Sequence, residues 1–177
     1  MENIRYSELL RRNKELESII ESKKYKIKVL SNITVNQTKE ILEYNLRIEG
    51  INANIEIGDY DNIVQDSTKV ADSQAVIIFW EICNIVEGLF YKIEHFEDSQ
   101  ITELGEKVCS EIDLVFKNLE QSSLVLINKF SSLPFQFLSK DKSNLDKFTE
   151  FLNKYLEDTA PKNVRLIEIN KIFANVE

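Results

Sequence analysis

The stretch from Lys26 to Ile57, KIKVLSNITVNQTKEILEYNLRIEGINANIEI, decides the fold class. Its two ends alternate apolar and polar residues, the period of two that is typical of β-strands. Between them, Ile41, Leu42 and Leu46 recur at helical spacing, and Gly50 follows where a left-handed C-terminal cap is expected. A strand, a helix and a second strand in this order predict a βαβ unit with parallel strands.

The same alternation of strands and helices continues to the end of the chain. The run Ala75–Trp80 is apolar throughout, as expected for the central strand of a parallel sheet. Two further strands are predicted at Ser123–Phe130 and Val164–Ile169. These patterns predict an α/β fold: a three-layer, doubly wound, five-stranded parallel sheet with an extra N-terminal helix.

The helices are predicted from apolar spacing and from capping residues. An amphipathic helix is expected over Glu2–Glu21 and a short one over Ile82–Phe90. Three further helices are predicted to begin at side chains that can cap a helix. These are Thr34 or Asn36, Asp98 or Ser99, and Ser143 together with Asp146. We expect residues 1–24 to form a separate N-terminal helix and residues 25–177 one domain, with a loop over Ser131–Asp141.

Composition excludes several classes of protein. The chain has 177 residues, a net charge of -8 and no long basic run, which argues against nucleic-acid binding. Its apolar runs are far shorter than the roughly 20 residues that span a bilayer, and its charged start lacks a secretory signal. We therefore expect a cytoplasmic protein that binds neither nucleic acid nor membrane.

Glycine, histidine and cysteine usage limits the chemistry further. Four scattered glycines leave no GxGxxG or GxxxxGK motif, and a single histidine, His95, leaves little room for a metal centre. We expect no metal and no cofactor in this portion. Cys83 and Cys109 lack metal-site spacing and are expected to be buried free thiols.

Candidate binding residues stand where the predicted strands end. Ligands of open parallel sheets collect beyond the carboxyl ends of the strands, near the point where strand order reverses. Hydroxyl, amide and carboxylate side chains occur there, and the predicted ligand-binding residues are Ser31, Asn32, Thr34, Asp59, Asn84 and Asn128. Such residues also occur at strand ends because they satisfy loose backbone groups, so both roles stay open.

Short motifs in the first third of the chain resemble the N-terminal region of FkbH-like proteins, which belong with the HAD-superfamily phosphatase-like enzymes. They are Leu30-Ser31-Asn32-Ile33-Thr34, Gly50-Ile51, and Tyr60-Asp61-Asn62 with Gln65-Asp66. The resemblance implies a flavodoxin-like or SGNH-hydrolase-like domain, followed in the full-length family by a HAD domain that loads acyl or glyceryl groups onto carrier proteins in polyketide or polysaccharide biosynthesis. It implies a bacterial protein, truncated here before its C-terminal helix and HAD domain, with an acyl carrier protein or its own HAD domain as partner.

The resemblance does not extend to the catalytic motifs of these enzymes. The chain has no DxDx(T/V) nucleophile motif of HAD enzymes. Aligned on Thr34, the Gly-Asp-Ser-hydrophobic-Thr motif of SGNH hydrolases places Asn32 at the nucleophile, and no histidine follows His95. Since serine–histidine chemistry needs both groups, we expect no catalytic residue in this portion.

Two other interpretations remain. One is an esterase-like hydrolase that uses Ser31 with a base supplied from outside this sequence. The other is a structural α/β module whose helix Glu2–Glu21 mediates assembly.

Overall fold

The structure, a computed structural model, describes residues 4–133 and 143–175. Its sheet has five parallel strands in the order β2-β1-β3-β4-β5. The strands are β1 (Tyr25–Ser31), β2 (Ala53–Ile57), β3 (Ala75–Phe79), β4 (Leu124–Asn128) and β5 (Val164–Ile167). The predicted fold class is confirmed, and the apolar run at Ala75 is the middle strand.

Helices connect the strands and lie on both sides of the sheet. They are α1 (Tyr6–Ile19), α2 (Thr38–Ile48), α3 (Ile63–Asp66), α4 (Leu89–Lys92), α5 (Asp98–Asn118), α6 (Asn144–Thr159) and α7 (Ile169–Phe173). Gly50 adopts the predicted left-handed conformation, with φ +80°. Within the described ranges, no helix is long and apolar enough to cross a bilayer.

Several predicted boundaries were wrong. The helix expected over Ile82–Phe90 is instead a 3₁₀ turn, Ile82–Asn84, followed by α4, because Gly88 (φ +70°) interrupts the segment. Helix α2 begins after Gln37 without a side-chain cap, and α5 is capped by Glu97 with Gln100. The capping pair at the start of α6, Ser143 with Asp146, is confirmed. Part of the predicted loop, residues 134–142, lies outside the described residues.

The hydrophobic core consists of two clusters, one on each face of the sheet. The larger one packs α5 and α6 against β3 and β4, and its fully buried members include Val76, Ile112, Val125 and Leu152. The smaller cluster packs α2 on β1 and β2. Both cysteines are buried free thiols, as predicted.

Candidate functional site

The predicted ligand-binding residues come from four connections at the carboxyl edge of the sheet. Strand β1 connects outward to β2 on one side, whereas β3 connects to β4 on the other, so strand order reverses between β1 and β3. This is the position where open α/β sheets bind ligands. In this structure, asparagine side chains occupy that position.

Asn32 joins the two strands at this reversal. Its side chain is buried, with the amide oxygen accepting the Glu81 N–H at 2.7 Å and the amide nitrogen donating to the Glu81 carbonyl at 2.9 Å. Asn84, itself exposed, donates from its side chain to the Asn32 carbonyl at 2.9 Å. Asn32 therefore extends the pairing of β1 with β3 by one peptide-like bridge.

Asn128 makes a matching bridge from the other side. Its amide oxygen accepts the Trp80 N–H at 2.7 Å, and its amide nitrogen donates to the carbonyls of Trp80 and Lys129, both at 3.0 Å. The segment Trp80-Glu81 is thus held between two asparagines. A third amide, Asn153 of α6, binds the N–H and carbonyl of Phe130 in the same manner, at 2.8 and 3.0 Å.

Two of the predicted residues line a small cleft above β1 and β2. The cleft, called here the hydroxyl cleft, has a volume of about 220 Å³ and is lined by Ser31, Ile33, Thr34, Val35, Asn36, Ile57, Gly58 and Tyr60. Ser31 is buried and donates its hydroxyl hydrogen to the Ile33 carbonyl at 2.8 Å, whereas Thr34 and Tyr60 are exposed. Sequence reasoning missed Tyr60 and Asn36 as lining residues, although both stand in loops that follow predicted strands.

Asp66 shapes the loop that closes this cleft. Its buried carboxylate accepts from the Asp59 N–H at 2.7 Å, from Asn62 at 3.0 Å and from Lys69 at 2.8 Å. Burial acts to raise the pKa of Asp66, but the hydrogen bonds from Lys69 and from the Asp59 N–H outweigh it, so the pKa lies below its ordinary value. The predicted residue Asp59 therefore contributes its backbone to the loop, and its side chain is exposed.

Glycine is required at the base of this loop. A Cβ at Gly58 would lie 2.7 Å from Asp66 Oδ2 and 3.0 Å from a Leu30 methyl group. Further along, Asp61 adopts a positive φ of 55° and donates its N–H to the Ser31 carbonyl at 3.0 Å. The loop is therefore fastened over the end of β1.

A second cleft, of about 190 Å³, lies beside Trp80 and is lined by Asp61, Ile63, Val64, Gln65, Trp80, Ile85 and Glu111. Nearby, burial raises the pKa of the Glu81 carboxyl. Burial, followed by the charge of Glu81, raises the pKa of the Cys83 thiol to about 12, so this thiol is not an activated nucleophile at neutral pH.

The described residues contain no group of three or more His, Cys, Asp and Glu side chains placed to hold a metal ion. His95 is exposed and ends a 3₁₀ turn, Ile93–His95, between α4 and α5. The carboxyl edge of the sheet therefore offers hydroxyl and amide groups, most of the amides being engaged with the backbone.

Comparison with known proteins identifies a solved structure with a similar fold. No family model and no curated protein matches the sequence. Among solved structures, the fold is similar to the crystal structure of the N-terminal part of a Bacteroides fragilis protein containing a phosphatase domain, complexed with Mg, with a TM-score of 0.71 and 12% identity. The match covers 97% of this chain and 46% of that one, so the chain spans about half the length of its structural neighbour. At this identity the likeness establishes the shared α/β fold.

Proposed function

We propose that this chain is a non-catalytic binding module that works with a phosphatase-type domain to handle acyl or glyceryl groups on carrier proteins. The proposal rests on the hydrogen bonds of the Asn32 side chain. It stands where the resembling hydrolases have their nucleophile, and both ends of its amide bind the Glu81 backbone. A carboxamide held in this way supports the fold of the site and attacks no substrate.

The hydroxyl cleft supplies the binding surface of this proposal. Its volume of about 220 Å³ suits a group of a few heavy atoms, and the residues that line it include Thr34 and Tyr60, which carry hydroxyl groups. Hydroxyls both donate and accept hydrogen bonds, so they match a small hydroxylated group such as a glyceryl ester. The adjoining loop, which carries Tyr60, is held by Asp66, whose carboxylate accepts from the Asp59 N–H and from the Asn62 side chain.

The pairing with a phosphatase-type domain is supported by the structural neighbour. The crystallised N-terminal part of that protein contains a phosphatase domain, and this chain covers 46% of the crystallised part. The FkbH-like motifs at Leu30–Thr34 and Tyr60–Asn62 point to the same arrangement. We propose that the present chain corresponds to the α/β part of such a protein, with an acyl carrier protein or the phosphatase-type domain as its partner.

A titration with carrier protein tests this function. Isotope-labelled chain is titrated with carrier protein that bears a glyceryl group, and the unloaded carrier protein is the reference probe. We expect amide shifts at Thr34 and Tyr60 with the loaded form, and binding at least fivefold weaker in Thr34→Val and Tyr60→Phe. Thr102→Val, an exposed threonine on α5, is the matched control and should bind as the parent does.

The opposite results would reject the proposal. Equal responses to loaded and unloaded carrier, or shifts that avoid the hydroxyl cleft, would remove the ligand-binding role. The esterase-like alternative is favoured by the position of Ser31 in the same cleft. It requires hydrolysis of short acyl esters that disappears in Ser31→Ala, and such turnover would replace the binding module with an enzyme.

A further inference from the structure

The cleft beside Trp80, called here the indole cleft, takes no part in the function proposed above. Its volume of about 190 Å³ is below the roughly 300 Å³ at which pockets for drug-sized ligands begin, so it suits a molecule of a few heavy atoms. Its lining comes from Asp61 and α3, from Trp80 and Ile85 after β3, and from Glu111 of α5. Because Trp80 directly follows β3, the cleft lies near the point where strand order reverses, the usual place for ligands in open parallel sheets.

The indole N–H of Trp80 is a hydrogen-bond donor that the protein leaves unused. Trp80 is only 5% exposed, and its ring packs edge-on against Phe130 with the ring centroids 6.3 Å apart. Its backbone N–H and carbonyl bind Asn128, but within residues 4–133 and 143–175 the indole N–H has no partner, although a buried indole N–H usually has one. Trp80 is also not among the described residues whose unpartnered polar side-chain atom is fully enclosed. The N–H therefore reaches open space, and the open space that Trp80 lines is the indole cleft.

Two carboxylates give the indole cleft a negative charge. The exposed Asp61 side chain makes no ion pair or hydrogen bond with the part of the chain that the structure describes. Glu111 is half-buried, and its contact with Lys107, one helical turn away, is long at 4.0 Å, so this pair contributes little. The described residues that line the cleft include no cationic side chain. The charge of the cleft therefore favours a cation and disfavours an anion.

The hydrogen-bonding groups of the indole cleft define its ligand further. Ionised carboxylates only accept, an indole only donates, and the amide of Gln65, whose side chain is also unpartnered among the described residues, does both. A matching molecule therefore presents donors to Asp61 and Glu111 and an acceptor to Trp80. An ammonium group supplies the donors together with the required charge, and a hydroxyl oxygen supplies the acceptor. The apolar lining residues suit a short carbon skeleton between the two groups.

We propose that the indole cleft binds a small ammonium compound that carries a hydroxyl group. The ammonium group lies beside Asp61 and Glu111, and the hydroxyl oxygen accepts from Trp80 Nε1. A neutral polyol fits less well, because it would leave both carboxylates without a counter-charge. The site is separate from the hydroxyl cleft, since Tyr60 lines one cleft and Asp61 lines the other.

A titration with four small compounds tests the site, and Trp80 reports on it directly. Trp80 is the only tryptophan of the chain, so its indole N–H gives a single NMR signal in the isotope-labelled protein. The compounds are serinol, which has an ammonium group and two hydroxyls, glycerol, which lacks the charge, isopropylamine, which lacks the hydroxyls, and glycerate, which is an anion. We expect serinol to shift the indole signal and to bind at least tenfold more tightly than glycerol or isopropylamine. Glycerate should leave the signal unchanged.

Charge is tested with Asp61→Asn and Glu111→Gln, which keep the size of each side chain and should each weaken serinol binding at least fivefold. Asparagine also tolerates the positive φ of position 61. Asp72→Asn is the matched control, because Asp72 lies beside Lys26 at the start of β1, on the opposite edge of the sheet, and should bind serinol as the parent does.

The indole N–H is tested with Trp80→Phe, which keeps an aromatic ring and removes the donor. Methyl signals of Ile63 and Ile85 then report binding, and serinol should bind no more tightly than isopropylamine. Circular dichroism verifies folding, and should Trp80→Phe unfold, the comparison of serinol with isopropylamine in the parent chain decides the role of the hydroxyl group.

Four results would each overturn the proposal. They are an indole signal that serinol does not move, equal affinity for serinol and glycerol, serinol binding that survives both Asp61→Asn and Glu111→Gln, and shifts confined to Thr34 and Tyr60, which would place the compound in the hydroxyl cleft. Thr34→Val should leave serinol binding unchanged, so a failure of the carrier-protein titration and a failure at the indole cleft are distinguishable.

Discussion

At the scale of single residues, asparagine determines how the carboxyl edge of the sheet is built. Asn32, Asn128 and Asn153 each bind the N–H and the carbonyl of one backbone residue, as a neighbouring strand would. The sequence indicates that Asn32 and Asn128 are polar side chains at strand ends, whereas Asn153 lies on α6. It does not indicate their partners, because Glu81 lies 49 positions from Asn32 and the two meet only when the sheet forms.

The buried carboxylate of Asp66 makes the stability of the loop after β2 depend on pH. Since its pKa is lowered in the folded state, its stabilisation is present above the unfolded pKa, near 4, and is lost as pH falls through the folded pKa. We expect Asp66→Asn to lower the free energy of unfolding by about 1–2 kcal/mol at pH 7. The difference between variant and parent should shrink as pH falls towards 3.

Urea unfolding at several pH values between 3 and 7 measures this difference. Asp72→Asn is the matched control, because the Asp72 side chain is 91% exposed and should change stability by less than about 0.5 kcal/mol at any pH. A penalty for Asp66→Asn that stays constant over the whole range would show that shape, and not the ionised carboxylate, matters at this position.

At the scale of elements, a buried polar network fastens α1 to α2 and to the edge strand β2. Arg47 is 3% exposed and donates to Asn13 Oδ1 at 2.7 Å and to the Ala53 carbonyl at 2.9 Å. Glu43, also buried, accepts the Ile55 N–H at 3.0 Å. The outward backbone groups of an edge strand invite pairing with other chains, and here two of them are bound by side chains.

Removing one member of this network should strongly lower the free energy of unfolding. We expect Arg47→Ala to lower the free energy of unfolding by about 3–5 kcal/mol, because Glu43 is left as a buried, uncompensated charge. The double variant Arg47→Met with Glu43→Leu should lose less than Arg47→Ala does, since neither charge remains. Chemical denaturation of the two variants and the parent measures both differences.

The matched control is Arg11→Ala, whose ion pairs with Glu8 and Glu15 are exposed, and which should change stability by less than about 1 kcal/mol. A loss for Arg47→Ala no larger than that for Arg11→Ala would contradict the structural role given to the network.

Local patterns predicted most elements and missed those that depend on distant contacts. Alternation, and for β3 an unbroken apolar run, placed the five strands to within about two residues, and Ser143 with Asp146 marked the start of α6. The helix predicted over Ile82–Phe90 was wrong because Ile82 and Leu89, both fully buried, have a spacing that also fits one face of a helix, while Gly88 turns the chain between them. The burial of Asn13 and Arg47 could not be predicted from the sequence, since polar residues on a helix are normally exposed.

At the scale of the whole molecule, the two faces of the sheet differ in what covers them. The face under α5 and α6 has the larger core, and the other is covered by α2 over β1 and β2. The sequence predicted the parallel sheet and its layers. It could not predict the partly exposed Leu126, because apolar alternation is the same on a covered strand and on an uncovered one.

The position of α1 decides whether the molecule unfolds as one unit or two. Because α1 shares the Arg47 network with α2 and β2, we expect the amides of Leu9 and Asn13 to exchange hydrogen with about the same free energy as those of Ile55 and Val76. Hydrogen exchange in increasing urea measures these values, and Arg47→Ala should let α1 exchange separately from the sheet. Exchange of α1 at much lower free energy in the parent chain would instead make residues 1–24 an independent segment and would favour the assembly interpretation of that helix.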